Sequence, residues 1–352
     1  MKVGIIGYGG VGKTSLFTVL TGQAAAAHHP SERHLATVDV VDPRLDKLRA
    51  LWQPRKFTRA RFEVEDEPAV PRGDVAGRGE RVAALRDPDV LLLVIGTSEA
   101  ARGLLPKELA DPLAQERALR DDLLLLDMEA IEKRVGKSEE RIKKGSGDRA
   151  MLLRDVDAMK RISALVEKGA SLHEVKDPDG ERLLHELKLF HDKPAVAVFN
   201  VDEATLSDRA AVEKLRGSSK RAAVLSAPIE REIAQLEGAD LAAFLEEYNL
   251  TEPAAPLLTR LAYEALDLIS FFTMGEDEVR AWPIVRGSNA VTAAGKIHSD
   301  LARGFIRAEV IPFARIEGAA DLKQLKTLSR ADLVGKEHEV KDGDILNIRF
   351  SV

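Results

Sequence analysis

Gly7-Tyr8-Gly9-Gly10-Val11-Gly12-Lys13-Thr14 separates an apolar run, Val3-Gly4-Ile5-Ile6, from a stretch in which Leu16, Val19 and Leu20 recur at helical spacing. The glycines let backbone N–H groups approach a ligand with no side chain between, and the helix that follows adds the positive end of its dipole. Closed by a lysine and a threonine, the stretch reads as a phosphate-binding P-loop, in the strand-to-helix context that motif needs. The expected contacts are Gly9, Gly10, Val11, Gly12, Lys13, Thr14 and Ser15. Lys13 reaches the β- and γ-phosphates, and Thr14 is the expected Mg2+ ligand.

Outward from the P-loop, strand-like runs follow at 36–41, 60–65 and 90–95. The last is wholly apolar, as a central parallel strand with both faces covered must be. The texture changes at Asp111, an N-cap followed by Pro112, after which Leu119, Leu123, Leu126 and Ala130 keep helical spacing. Lys144-Gly145-Ser146-Gly147-Asp148 breaks that helix, and Leu152, Val156, Met159 and Ile162 mark a second one packed antiparallel on it. The abundant Lys, Arg and Glu of this hairpin read as a solvated surface. Strands resume at 195–199 and 221–225, so the hairpin interrupts the α/β domain. Short strands at 279–284 and 305–311 around a helix at 291–300 predict a small α+β module at the end. The expected division is a discontinuous domain, 1–100 and 193–270, a helical insertion, 101–192, and a terminal domain, 271–352.

The 352-residue chain has room for several domains and carries no cysteine, which excludes disulfides, thiolate metal sites and a cysteine nucleophile. A net charge of −6 argues against a chain coated in nucleic-acid-binding charge while leaving room for a local basic face, and no DNA partner is expected. No basic leader and no apolar run of bilayer length is seen, so the expected setting is cytoplasmic, with no membrane partner.

A second nucleotide signal, Asn200-Val201-Asp202-Glu203, follows the strand at 195–199. In guanine-binding G proteins the loop at this place reads NKxD, with the lysine stem over the base and the aspartate on its edge. Here those positions hold Val201 and Glu203. A site that loses a paired hydrogen-bonding group loses its penalty on the wrong base. ATP is therefore expected over GTP. Ser226 and Ala227, after the next strand, are the expected loop beside the base.

The base loop, the Pro43-Arg44-Leu45-Asp46-Lys47-Leu48 run after Asp42, the helical insertion and Arg303-Gly304-Phe305-Ile306-Arg307-Ala308-Glu309-Val310 together resemble the Obg-like ATPase (YchF) family over nearly the whole chain. The final segment, ending in Asp342-Gly343-Asp344 and Phe350, resembles a TGS-type domain. The resemblance implies an α/β architecture: a Ras-like P-loop NTPase domain, an inserted antiparallel helical hairpin, and a β-grasp, ubiquitin-like terminal domain linked to ribosome or RNA contact. It also implies ATP preference, with the backbone of Val201 against adenine.

The chain departs from that pattern at several places. Gly9 and Gly10 stand where the family usually has Pro and Asn, the latter linked to potassium-assisted hydrolysis in related GTPases. The first switch reads His28-His29-Pro30-Ser31-Glu32-Arg33-His34, and Ser31 or Thr37 is left to serve for its usual threonine. The second switch reads Asp66-Glu67-Pro68-Ala69, with Gly73, Gly77 and Gly79 beyond it. Asp66 keeps the role of holding a metal-bound water, and Ala69 replaces the glycine that senses the γ-phosphate. His28, His29 and His34 read as an exposed polar loop rather than a metal site.

The functional expectation is a P-loop NTPase that binds ATP with Mg2+, hydrolyses it slowly and switches a ribosome or RNA contact. Lys296, His298, Arg303 and Arg307 are candidates for a basic face. No side chain is assigned as a catalytic group. The competing expectation is a nucleotide-dependent binding protein with little or no hydrolysis, because its switches have drifted.

Overall fold

A computed structural model describes residues 1–22, 34–70, 85–97 and 103–351. The chain divides into two compact units, 1–36 with 63–254, and 37–62 with 255–352.

The first unit is built on the strands β1 (Lys2–Ile6), β2 (His34–Asp39), β4 (Arg61–Asp66), β5 (Val90–Gly96), β6 (Ala195–Asn200) and β7 (Ala222–Leu225), and the division between the units falls within β2 and β4. They form a sheet in the order β2-β4-β1-β5-β6-β7. β1 pairs in parallel with β4 and with β5, β5 with β6, and β6 with β7. Every residue of β5 is buried, as its unbroken apolar run predicts.

The expected hairpin is present. Helix Pro112–Lys143 starts on Asp111, whose carboxylate accepts from Ala114 N, and helix Arg149–Glu167 starts on Asp148, which accepts from Ala150 N and Met151 N. Gly145 and Gly147 take positive φ between them, the conformation that makes glycine the residue for this turn. A third helix, Pro178–Leu187, has the same start, Asp177 then Pro178, and closes a core of Ile131, Met159, Ile162, Val166 and Leu183. The insertion is fixed to the sheet domain through Asp127, which is fully buried. Its carboxylate accepts from Arg86 at 2.6 Å and from the backbone N–H groups of Phe190 (3.1 Å) and His191 (2.8 Å).

The strands of the second unit are β3 (Lys56–Thr58), β8 (Leu268–Met274), β9 (Glu278–Val285), β10 (Phe305–Pro312), β11 (Asp332–Val334) and β12 (Asp344–Phe350). Their sheet runs in the order β11-β10-β12-β8-β9-β3. The β8–β9 hairpin is followed by helix Ala290–Ile297. The terminal β12 pairs in parallel with β8 and antiparallel with β10, the β-grasp arrangement. Ala290, Ala293 and Ala294 let the helix sit close on Phe271, Ile284, Ala308 and Leu346. The helix expected over 291–300 ends at Ile297, because His298 is extended (φ −164°), and a short helix, Ser299–Arg303, follows.

This arrangement differs from the threefold division expected from composition. Residues 37–62 fold with the C-terminal unit, where β3 pairs with β9 (Lys56 opposite Glu278). The family-like run Asp42–Leu48 belongs there too. Asp42 caps helix Pro43–Trp52, and Arg44 reaches both oxygens of Asp342, at 2.9 and 3.1 Å. Asp342 also accepts from Ser270 N at 3.0 Å. Gly343 takes φ 87°, a conformation that strains any L side chain.

Candidate nucleotide-binding site

The P-loop leaves β1 at Gly7 and enters helix Lys13–Thr21. Gly10 and Gly12 take φ of 80° and 95°, a region that strains any L side chain. At Gly12 a Cβ would also lie 2.2 Å from Asn200 Nδ2. The loop thus turns its backbone N–H groups into a cradle at a helix N-terminus, suited to an anion.

Lys13 lies over the cradle, donating to Gly7 O (3.2 Å) and Tyr8 O (3.0 Å). Burial lowers the pKa of its amine, an effect opposed by the Asp66 charge. Thr14 Oγ1 donates to Asp66 Oδ2 at 2.7 Å, and Asp66 is 5% exposed. The end of β4 therefore delivers a buried carboxylate to the first turn of the P-loop helix. Beyond it, Glu67 N donates to Ile5 O (3.3 Å) and Val70 N to Gly7 O (3.1 Å), tying this segment to β1 and the P-loop.

Asn200, at the end of β6, joins the two loops. Its Nδ2 donates to Val11 O (3.0 Å) and its Oδ1 accepts from Ala227 N (3.0 Å). The side chain expected at the base is thus engaged in bracing. Val201 is buried and donates its N–H to Leu225 O (2.8 Å), and Ser226 and Ala227 are buried just after β7. Asp202 caps helix Glu203–Ser207 through Thr205 N, while Glu203 is exposed and accepts from the Tyr248 hydroxyl at 2.9 Å. Ser15 follows Thr14 in the helix.

The other sequence candidates fall elsewhere. Thr37 is an exposed residue of β2. His34 packs its ring against Phe17, with centroids 6.2 Å apart. His28, His29, Ser31, Gly73, Gly77 and Gly79 lie outside the described residues. Lys296, His298, Arg303 and Arg307 are all exposed, with Arg303 paired to Asp300 at 3.0 Å.

Several residues that shape the site are not legible in the sequence. Gln115, buried in the insertion, accepts from Gly96 N (2.8 Å) and donates to Gly96 O (3.0 Å), fixing the end of β5 behind Val11. Tyr8, inside the P-loop, donates to Asp122 at 2.8 Å. Glu230, in helix Ala227–Ile233, accepts from Ala254 N at 2.8 Å, and burial pushes its carboxyl up to about 7. Each partner is remote in sequence, and only the N-terminal Asp111-Pro112 signal points to the helix carrying two of them.

A family model described as a 50S ribosome-binding GTPase matches residues 2–120, and the YchF C-terminal model, described as a protein of unknown function, matches residues 268–351. The chain is 31% identical to the ribosome-binding ATPase YchF of Bacillus subtilis, over 100% of both proteins. It is 29% identical to that of Haemophilus ducreyi, over 100% of this chain and 99% of the relative. The solved structure of the Schizosaccharomyces pombe YchF GTPase superposes with a TM-score of 0.75 at 21% identity, covering 99% of this chain and 97% of that one, a likeness of fold. A P-loop domain interrupted by a helical insertion and followed by a β-grasp sheet, with full-length identity of 31% to a curated relative, places this chain in the YchF family.

Proposed function

We propose that the chain is a nucleotide-dependent switch that binds ATP with Mg2+ at the P-loop, hydrolyses it slowly and signals its state to the ribosome. The observation that carries this reading is the cradle itself: helix-terminal N–H groups, the Lys13 amine, and a hydroxyl and carboxylate 2.7 Å apart at one end of it. The full-length relatives named ribosome-binding ATPases support the nucleotide and the partner.

Thr14 and Asp66 fit Mg2+. They are hard oxygen donors, and Mg2+ is commonly held by one or two protein oxygens with phosphates and water completing its shell. Mg2+ supplies neutralisation of the developing phosphate charge when bound. With nucleotide bound, Lys13 would share its protons between the loop carbonyls and the phosphate oxygens, and Thr14, its hydroxyl oriented by Asp66, would hold the metal. Asn200 keeps the phosphate and base loops in register.

Adenine is favoured because nothing guanine-specific is offered at the expected positions. Val201 is an apolar residue whose N–H is taken by Leu225 O, and the carboxylate of Glu203 is already bonded by Tyr248. Cytoplasmic placement fits the reading, and no helix among the described residues is long and apolar enough to cross a membrane.

The second reading, occupancy with little turnover, draws on the segment after Asp66. Its backbone is bonded to Ile5 and Gly7, and Ala69 stands in place of a freer glycine. A single-turnover assay of phosphate release with ATP and GTP separates the two readings. Release from ATP above the uncatalysed rate supports the slow switch. Saturable binding without release supports the second.

A further inference from the structure

Between Gly7 and Gly12 the P-loop has only Tyr8 and Val11 as side-chain-bearing residues. Val11 is buried behind Gly96, so Tyr8 is the one that connects the loop to something beyond the sheet. Its ring is 2% exposed and its hydroxyl donates to Asp122 Oδ2, at 2.8 Å, on helix Pro112–Lys143. The carbonyl of the same residue accepts from Lys13 at 3.0 Å. Tyr8 thus has one end beside the amine that would contact phosphate and the other on the helical insertion.

Two further contacts come from the start of the same insertion. Leu104 covers Gly10 so closely that a Cβ there would meet Leu104 Cδ1 at 2.3 Å. Gln115 holds both backbone groups of Gly96, against which Val11 packs. The insertion therefore braces the phosphate loop at Tyr8, Gly10 and, through Gly96, Val11. Of these contacts, the one at Tyr8 joins a residue that also touches Lys13.

Resting on the nucleotide-binding reading above, we propose that Tyr8 is a positioning residue that couples phosphate occupancy to the docking of helix Pro112–Lys143. With Gly9 and Gly10 free of side chains, the loop has a wide choice of backbone conformations, and the Tyr8–Asp122 bond selects the one in which its N–H groups converge. Coupling of this kind is reciprocal: a phosphate that stiffens the loop stabilises the helix contact, and a partner that shifts the helix weakens nucleotide binding by the same factor. The helical insertion then acts as the regulatory arm of the site.

The test is a double-mutant cycle on the full chain with ADP as the ligand, using Tyr8→Phe, Asp122→Ala and the pair, with hydrogen exchange of residues 112–126 followed with and without ADP. Loss of a hydrogen bond to a charged group predicts about tenfold weaker ADP binding for each single variant. The double variant is expected to be no weaker than either single one. In the parent, ADP slows exchange in the helix, and in Tyr8→Phe that protection disappears although the ring is retained. ADP affinity unchanged in Tyr8→Phe, additive losses in the cycle, or equal ADP-induced protection in both proteins overturns the coupling and leaves the nucleotide site standing. Absence of ADP binding to the parent chain overturns both.

Discussion

The phosphate loop and the Asp42–Leu48 segment are the two most conspicuous stretches of this sequence, and they employ their polar groups in opposite ways. In the P-loop, Gly10 and Gly12 take positive φ at the start of a helix, and Lys13 and Thr14 carry the polar groups beside them. In the other segment Arg44 is engaged on both sides, by Asp42 at 2.8 Å and Asp342 at 2.9 Å, and lies over the Phe272 ring at 5.5 Å. Those bonds raise the Arg44 pKa against the effect of its burial. Conspicuous sequence alone does not separate a binding site from a brace. Accounting for each donor and acceptor does.

That contrast can be broken most directly at Lys13. Lys13→Ala is expected to weaken ATP binding by ~100-fold or more, since charge-assisted bonds to phosphate are lost, with little change in melting temperature. A fluorescent-nucleotide titration and a thermal melt check both halves. Arg44→Ala should do the reverse. Stranding Asp42 and Asp342 is expected to cost roughly 2 kcal/mol of stability in denaturant unfolding while ATP affinity holds. A large affinity loss in Arg44→Ala would erase the distinction between brace and site.

Glu230 sharpens the comparison, because it braces the nucleotide-binding unit with a group that titrates. Its folded pKa is raised from 4.5 to about 7, chiefly by burial, so the folded state holds the proton more tightly than the unfolded chain. Stability is then greatest below pH 4.5 as far as this group is concerned, and is lost as pH rises from about 4.5 to about 7. Glu230→Gln, which keeps a hydrogen-bond acceptor for Ala254 N, should flatten that slope when unfolding free energy is measured across the window. The smallest effect is expected at the base loop. Val201→Lys with Glu203→Asp restores the side chains of a guanine site, yet should shift the ATP-to-GTP affinity ratio only a few-fold. Val201 is buried, Glu203 is exposed and Asn200 is already engaged at both ends. Competition titrations of the two nucleotides measure the ratio.

What is legible in the sequence is what is local. The P-loop lies within eight consecutive residues, the burial of β5 follows from its unbroken apolar run, and the hairpin is marked by Asp111-Pro112 and the Gly145–Gly147 turn. Helix Pro178–Leu187 carries the same Asp-Pro start at Asp177 but only a short apolar pattern behind it, too little to announce a helix. The pairing of β3 with β9 is beyond any segment-by-segment reading, since Lys56 and Glu278 are distant in the chain and three strand residues carry no period. The same distance hides Tyr8–Asp122 and the Asn200 bonds to Val11 and Ala227. Residue types at the phosphate end announce their chemistry, whereas at the base end the decisive facts are which groups are already bonded.

The central claim is that Lys13, Thr14 and Asp66 form an ATP–Mg2+ site. Equilibrium titration of the parent chain and of Thr14→Ala with ATP, each with and without Mg2+, tests it most directly. The prediction is saturable binding that Mg2+ strengthens in the parent, with the Mg2+-dependent portion alone lost in Thr14→Ala. Binding that ignores Mg2+ in the parent, or no binding of ATP at all, would contradict it.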